Sequence, residues 1–271
     1  MERSGGAEFL TGLGRAFGGA VLFSFPLLMT AEMWDLGATM DRYRLVIFIA
    51  GAFPVLAGLA WYCGFERTAT RREAIEDSLV AFGVGFVTSA VILLLLDRIA
   101  TDMPLGEIVG RIGIQAVPAA IGAVVARRQL TGGEDVERQE RASYGGELFL
   151  MAAGALFIAF NVAPTEEMVL IASTMTARHS VGLIALSVLM LHVLVYQVGF
   201  AGQEERPDYA GFGLTFLHFT LAGYGIALLV SLAVLWTFER TVGTGIADVA
   251  TMAVVLGFPA ALGAAVARLI V

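Results

Sequence analysis

The stretch FSFPLLMTAEMW (Phe23–Trp34) has a counterpart 135 residues on, IAFNVAPTEEMV (Ile158–Val169). Laid over each other without gaps, the two align Phe25 with Phe160, Thr30 with Thr165, Glu32 with Glu167 and Met33 with Met168. Each places a carboxylate near the far end of a long apolar run. A chain that does this twice poses two linked questions, what solvent surrounds the runs and whether one half copies the other.

Composition answers the first. The chain is 58% hydrophobic and only 15% charged, with a mean hydropathy of +0.79. A water-soluble domain of this length needs more charge to cover its surface, so the solvent is largely lipid. Charges cluster between apolar runs of about twenty residues, the length that crosses a ~30 Å hydrocarbon core. Hydropathy with charged breaks predicts spans at 9–34, 45–64, 78–96, 107–126, 147–174, 181–200, 211–237 and 246–268. This is an all-α, polytopic membrane protein, and the bilayer is its first partner.

The polar segment RRQLTGGEDVERQERASYGG (Arg127–Gly146) parts the spans into two groups of four. The expected organisation is a first four-helix repeat over 1–128, a polar linker over 129–145 and a second repeat over 146–271. Further matches follow in the same order. WYCGF (Trp61–Phe65) pairs with YQVGF (Tyr196–Phe200), LLLLDR (Leu93–Arg98) with LWTFER (Leu235–Arg240), and VPAAIGAVVARR (Val117–Arg128) with FPAALGAAVARL (Phe258–Leu269). Four matches in the same order read as a tandem duplication. An even number of spans per half makes the repeats parallel, related by a pseudo-two-fold axis along the membrane normal.

Arginine supplies every basic charge, since no lysine is present. Eleven arginines, among them Arg67, Arg71, Arg72, Arg127, Arg128, Arg138 and Arg141, fall on the side of the termini. Six fall on the other side: Arg42, Arg44, Arg98, Arg111, Arg178 and Arg240. The positive-inside rule then expects both termini in the cytoplasm. The N-terminus shows no cleavable signal pattern. The single cysteine, Cys63, excludes an intrachain disulfide and reads as a packing residue.

With the N-terminus inside, the first and fifth helices run outward, and Glu32 and Glu167 are expected in the outer part of the membrane. An ionised carboxylate there is costly unless hydrated, paired or facing a cavity. Glu32 would also approach the negative end of its helix dipole. Seven residues are nearly two turns, so Phe25 would lie under Glu32 and Phe160 under Glu167. If both faces meet at the pseudo-two-fold axis, an ion-interacting acidic pair, with Glu166 beside it, stands outside an aromatic gate. Glu166 has no counterpart, because Ala31 holds that position. Thr30 and Thr165 lie on the opposite side and are expected to bond to backbone or a neighbouring helix. The structural alternative is that the glutamates reach the headgroups and the motif persists as a packing unit. The phenylalanines would then be core or lipid-facing.

Other residues offer less. His218 falls opposite Glu76 when the halves are matched through Asp97 and Glu239, and the two form a candidate proton site. A structural histidine is the competing account, and the favoured one for both His218 and His192. The pairs Pro118/Pro259 and Gly122/Gly263 sit in alanine- and glycine-rich helices expected to pack on other helices, and Gly83/Gly225 read the same way. Asp35, Asp41, Asp97, Asp102, Glu107, Glu239 and Asp248 gather on the presumed outer side as a slightly acidic vestibule or a solvated loop surface. HExxH, CxxC and GxSxG are absent, and a phosphate loop needs the missing lysine. Neither an enzyme nor a cofactor is implied, and basic stretches interleaved with aromatics are lacking, which argues against nucleic acid.

At FSFPLLMTAEMW, with the eight spans and TEEM in the second half, the chain resembles an uncharacterised family of bacterial integral membrane proteins, catalogued as a domain of unknown function. The resemblance covers nearly the whole chain and implies a location in the bacterial inner membrane. It brings no functional residues with it. Cation/proton exchangers built from duplicated helices look similar in outline, but their E-x-G-D signature is absent. Lysosomal-type potassium channels carry Phe-Ser-Asp on their first helix, where this chain has Phe23-Ser24-Phe25.

The functional expectation is a cation channel or cation/proton-coupled transporter that handles a small cation, alone or as an oligomer. Two alternatives stand beside it, a non-transporting sensory or scaffolding protein and a transporter of a small organic or lipidic solute.

Overall fold

Backbone amides in hydrocarbon must find partners within their own segment, and every regular element among the described residues is helical. The computed structural model describes residues 2–63, 70–130, 144–196 and 216–270, with side chains over 11–62, 70–125, 144–194, 216 and 218–267. Most of the 129–145 linker, the side chains of Cys63, Arg127 and Arg128, much of the Trp61–Phe65/Tyr196–Phe200 match, and Arg67, Arg138 and Arg141 lie outside them.

The chain divides into two compact units, Met1–Glu134 and Asp135–Val271. Unit 1 runs α1 (Glu2–Leu28), α2 (Ala31–Thr39), α3 (Arg42–Cys63), α4 (Arg71–Leu95) and α5 (Leu105–Leu130). Unit 2 runs α6 (Tyr144–Val162), α7 (Glu166–Thr174), α8 (Ala177–Tyr196), a π-helical turn (Phe216–Leu221) leading into α9 (Ala222–Thr237), and α10 (Ile246–Ile270). Each unit is therefore a long helix, a nine-residue helix and three more long ones. Eight helices among the described residues are long and apolar enough to cross a membrane, four in each unit. The expectation of eight spans holds.

The last helix of each unit is its centre. Within unit 1, α5 touches α1, α2, α3 and α4; within unit 2, α10 touches α6, α7, α8 and α9. Small residues make this crowding feasible. Ala116, Ala119, Ala120 and Ala123 of α5, and Ala260, Ala261, Ala264 and Ala265 of α10, are completely buried. The scaffold role expected of these alanine- and glycine-rich helices is what the packing displays. Gly83 and Gly225 behave otherwise, since a Cβ on either meets nothing within 4 Å. Their faces are open, and Gly85 is the α4 residue that presses on α5, against Ala116 and Ala120.

The third long helix ends alike in both units. Asp97 and Glu239 are the two non-glycine residues of positive φ among the described residues, at 57° and 61°. Behind each, crossed hydrogen bonds close the helix: Asp97 N–H to Leu94 at 3.1 Å and Arg98 N–H to Leu93 at 2.8 Å, then Glu239 N–H to Trp236 at 3.2 Å and Arg240 N–H to Leu235 at 2.9 Å. A left-handed residue after the last turn lets these amides reach back to carbonyls that would otherwise be orphaned. The LLLLDR and LWTFER segments thus adopt one backbone geometry.

Candidate functional site

The repeated motif does not form one helix. α1 ends at Leu28 and α6 at Val162; Thr30 and Thr165 are extended, and a short helix starts after each. Pro26, two residues before the end of α1, and Pro164, two residues after the end of α6, each lack the amide hydrogen that would bond back to an earlier carbonyl. The carbonyls left open where the two helices end are satisfied locally and from afar. Leu28 accepts from the Trp34 indole at 2.8 Å, and Leu27 accepts from Thr30 N–H at 3.2 Å and Gln115 Nε2 at 3.1 Å. Val162 accepts from Thr165 N–H at 3.1 Å and Oγ1 at 2.8 Å. Thr30 and Thr165 therefore bond to backbone, as expected, and neither hydroxyl caps the helix it precedes.

This break corrects the placement of the glutamates. Glu32 and Glu167 are each the second residue of a short connecting helix, α2 and α7. They stand at the positive end of a helix dipole, not at the negative end expected from an unbroken span. The two-turn alignment of Phe25 under Glu32 and of Phe160 under Glu167 also lapses, because the extended threonine intervenes. Each short helix is anchored by its buried face, Met33 and Gly37 in α2, Met168 and Ala172 in α7. That anchoring leaves Glu32 half-buried and Glu167 exposed. Neither carboxylate has a hydrogen-bond or ion-pair partner among the described residues.

Glu166 differs. Its Oε1 lies 2.9 Å from Arg240 Nη1, and Arg240 Nη2 donates to the Pro164 carbonyl. One arginine thus ties the start of α7 to the end of α9. The matched arginine of unit 1, Arg98, stacks on the Trp34 ring with its Cζ 4.7 Å from the centroid, while its Nε donates to Leu96 at 3.0 Å and its carbonyl accepts from Arg111. Arg111 is held in turn by Glu107 at 2.6 Å. The same clasp between the third long helix and the short helix is made with different chemistry, cation on aromatic in unit 1 and cation on carboxylate in unit 2.

The two aromatic positions are unlike. Phe160 is buried and packs on Phe238, centroids 6.0 Å apart, within the core of unit 2, whereas Phe25 is 49% exposed. Glu76 pairs with Arg72 at 2.8 Å on the exposed start of α4. His218 lies in the π-helical turn of unit 2, where its ring meets Tyr144 edge-on at 6.1 Å and its carbonyl accepts the Tyr144 hydroxyl at 2.8 Å. His192 has the structural setting expected for it, with Nδ1 3.0 Å from the hydroxyl of the buried Thr220. Among the described residues, no three of His, Cys, Asp and Glu converge on a metal-binding arrangement.

Sequence reasoning passed over three polar residues inside unit 1: Thr88 and Ser89 of α4 and Gln115 of α5, all buried. The available signal was a glutamine within the apolar run IGIQAVPAA (Ile112–Ala120).

Two bundles of apolar helices, each centred on a small-residue helix and crossed at one end by a short helix, define a polytopic helical membrane protein. The chain belongs to the family described as "Putative integral membrane protein (DUF2391)", whose model matches residues 12–271. No curated protein and no solved structure matches it.

Proposed function

We propose that the protein moves a small cation across the bacterial inner membrane, as a channel or as a cation/proton-coupled transporter, with both termini in the cytoplasm. One observation carries this reading. The second position of the short helix is a glutamate in both units, and neither carboxylate has a hydrogen-bond or ion-pair partner among the described residues, although in unit 2 an arginine, Arg240, reaches the same short helix. In unit 2 that arginine is spent on Glu166 and leaves Glu167 available. The shared element order and the matching left-handed residues Asp97 and Glu239 support descent of both halves from one copied unit. In this reading Glu32 and Glu167 gather and partly dehydrate the cation at the ends of the spans, where focused negative charge raises its local concentration. Phe25 and Phe160 take no paired gating role, since their surroundings differ, and no role follows for Glu76 or His218.

The test is cation flux into proteoliposomes. Wild type should pass an alkali cation or a proton, and Glu32→Gln/Glu167→Gln should pass it about tenfold more slowly, the low end of what electrostatic focusing supplies. Equal, robust flux from both proteins would remove the glutamates from the mechanism.

A second reading, a non-transporting sensory or scaffolding protein, is favoured by the outer face of α7. It presents Leu170 and Ile171, 64% and 49% exposed, alongside Glu166 and Glu167. A stoichiometric partner co-purifying with the protein, together with absence of flux for every ion tried, would select it.

A further inference from the structure

Within a membrane helix, a serine or threonine hydroxyl usually donates to a carbonyl three or four residues earlier. Ser24, Ser78, Ser187, Ser231 and Thr237 all do so. Thr88 and Ser89 do not. Their hydroxyl oxygens are buried and without a hydrogen-bond partner among the described residues, and the same is true of Oε1 of Gln115. Thr88 is 2% exposed, and Ser89 and Gln115 are 0% exposed. Three orphaned oxygens are an expensive feature to keep in the interior of one bundle.

The residues that carry these oxygens fall at one level of the α4 and α5 pair. Gly85 of α4 abuts Ala116 and Ala120 of α5. Two turns further along α4, Leu93 joins Leu28 of α1 and Ile99, with Ile108 and Ile112 of α5 packed against them. Between those two contacts, α4 passes through Thr88 and Ser89 while α5 passes through Gln115. The amide of Gln115 is fixed there by one N–H bond from Nε2 to the Leu27 carbonyl, and its Oε1 remains without a partner among the described residues. The apolar cluster of Leu28, Leu93 and Ile99, with Trp34 beside it, caps this layer from the end that carries α2.

Unit 2 has no such layer. The match through Pro118 and Pro259 puts Leu256 where unit 1 has Gln115, and the match through Asp97 and Glu239 puts Val230 at Thr88 and Ser231 at Ser89. Ser231 donates to the Ala227 carbonyl at 2.7 Å. At this level, therefore, the two units differ in chemistry.

We propose that unit 1 holds a partly dehydrated alkali cation against the side-chain oxygens of Thr88, Ser89 and Gln115, at a site that unit 2 lacks. The chemistry is selective as to class. Neutral oxygens suit a hard cation, and a set without a carboxylate offsets one positive charge better than two. The unpartnered Gln115 oxygen can only accept, which favours a cation, while the Thr88 and Ser89 hydroxyls can turn an oxygen lone pair toward it. Water completes the shell of a cation held by so few ligands. This site deepens the transport reading by giving the cation a resting place inside one bundle, and it rests on that reading only for the direction of travel.

The experiment is thermal unfolding of the purified full-length protein in detergent, in choline chloride and in equal concentrations of LiCl, NaCl and KCl. Wild type should show a saturable rise in midpoint with at least one alkali cation, about 3 °C at tenfold excess over the dissociation constant. Thr88→Val and Gln115→Leu, which install the residues of unit 2, should each abolish that rise. Gln115→Leu also removes the bond to Leu27, so the nearly isosteric Thr88→Val is the decisive variant. A wild-type midpoint equal in all four salts, or a rise undiminished in Thr88→Val, would mean that the orphaned oxygens hold water only, and the site would be overturned. Flux separates this from the role of the glutamates. Full flux in Glu32→Gln/Glu167→Gln with the salt-dependent rise intact leaves the site standing and removes the carboxylates, whereas glutamate-dependent flux without any rise does the reverse.

Discussion

Gly263 of α10 lies directly on Gly154 of α6: a Cβ added to Gly263 would meet Ile158 Cγ1 at 2.6 Å as well as the Gly154 carbonyl. Unit 1 repeats the arrangement, with a Cβ on Gly122 falling 2.6 Å from the Gly19 carbonyl and 2.5 Å from Phe23 Cβ. In lipid, helix association depends on such close backbone approach, because the tails are as apolar as the side chains. Gly122→Ala and Gly263→Ala should therefore each destabilise the protein by about 1–3 kcal/mol, the usual cost of overpacking. Gly83→Ala and Gly225→Ala, whose Cβ atoms meet open space, should be neutral or stabilising by up to about 1 kcal/mol from helix propensity. Thermal melts of the four variants in one detergent check the contrast.

The Arg240 clasp makes a graded prediction. Glu166 is 67% exposed at its side chain, so its ion pair is screened, and Glu166→Gln should cost less than about 1 kcal/mol. Arg240→Gln also strips the donor from the Pro164 carbonyl at the helix break and should cost about 1–3 kcal/mol. The double variant should match Arg240→Gln alone, because the second substitution removes a partner already idle. Melting midpoints of the three proteins measure this.

Much of the fold was legible because hydrocarbon imposes so few choices. Length and apolarity mark the eight spans, and LLLLDR and LWTFER, paired by sequence, close their helices with the same bonds around Asp97 and Glu239. The breaks at Thr30 and Thr165 were not legible. Apolar sequence continues on both sides of them, and the groups that satisfy the carbonyls left open there, Gln115 and Arg240, are supplied from remote helices. The aromatic pair failed to behave as a pair for a similar reason. Phe160 is covered by Phe238, whose match in unit 1 is Leu96, so equal positions in the motif acquired unequal neighbours.

Asp97 occupies left-handed backbone that costs an L-residue about 1–2 kcal/mol, and glycine adopts it freely. Asp97→Gly should accordingly raise stability by about 1 kcal/mol, less whatever greater freedom glycine has in the unfolded chain. A fall in the melting midpoint would mean that the Asp97 side chain contributes more than its backbone costs.

Glu32 and Glu167 invite a prediction about what they are not for. Each sits beside a fully buried methionine on a short helix, Met33 at 0% exposed and Met168 at 1%, yet its own carboxylate has no protein partner among the described residues. Met33→Ala and Met168→Ala would leave cavities under α2 and α7 and should each cost about 2–5 kcal/mol. Glu32→Gln and Glu167→Gln remove charge without removing a contact and should stay within about 0.5 kcal/mol of wild type. Melting curves that follow this order while flux follows the opposite one, lost with the glutamines and largely kept with the alanines below their melting range, would assign the methionines to holding the short helices and the carboxylates to the permeating cation. Glutamine variants that melt as early as the alanine variants would instead make the carboxylates structural.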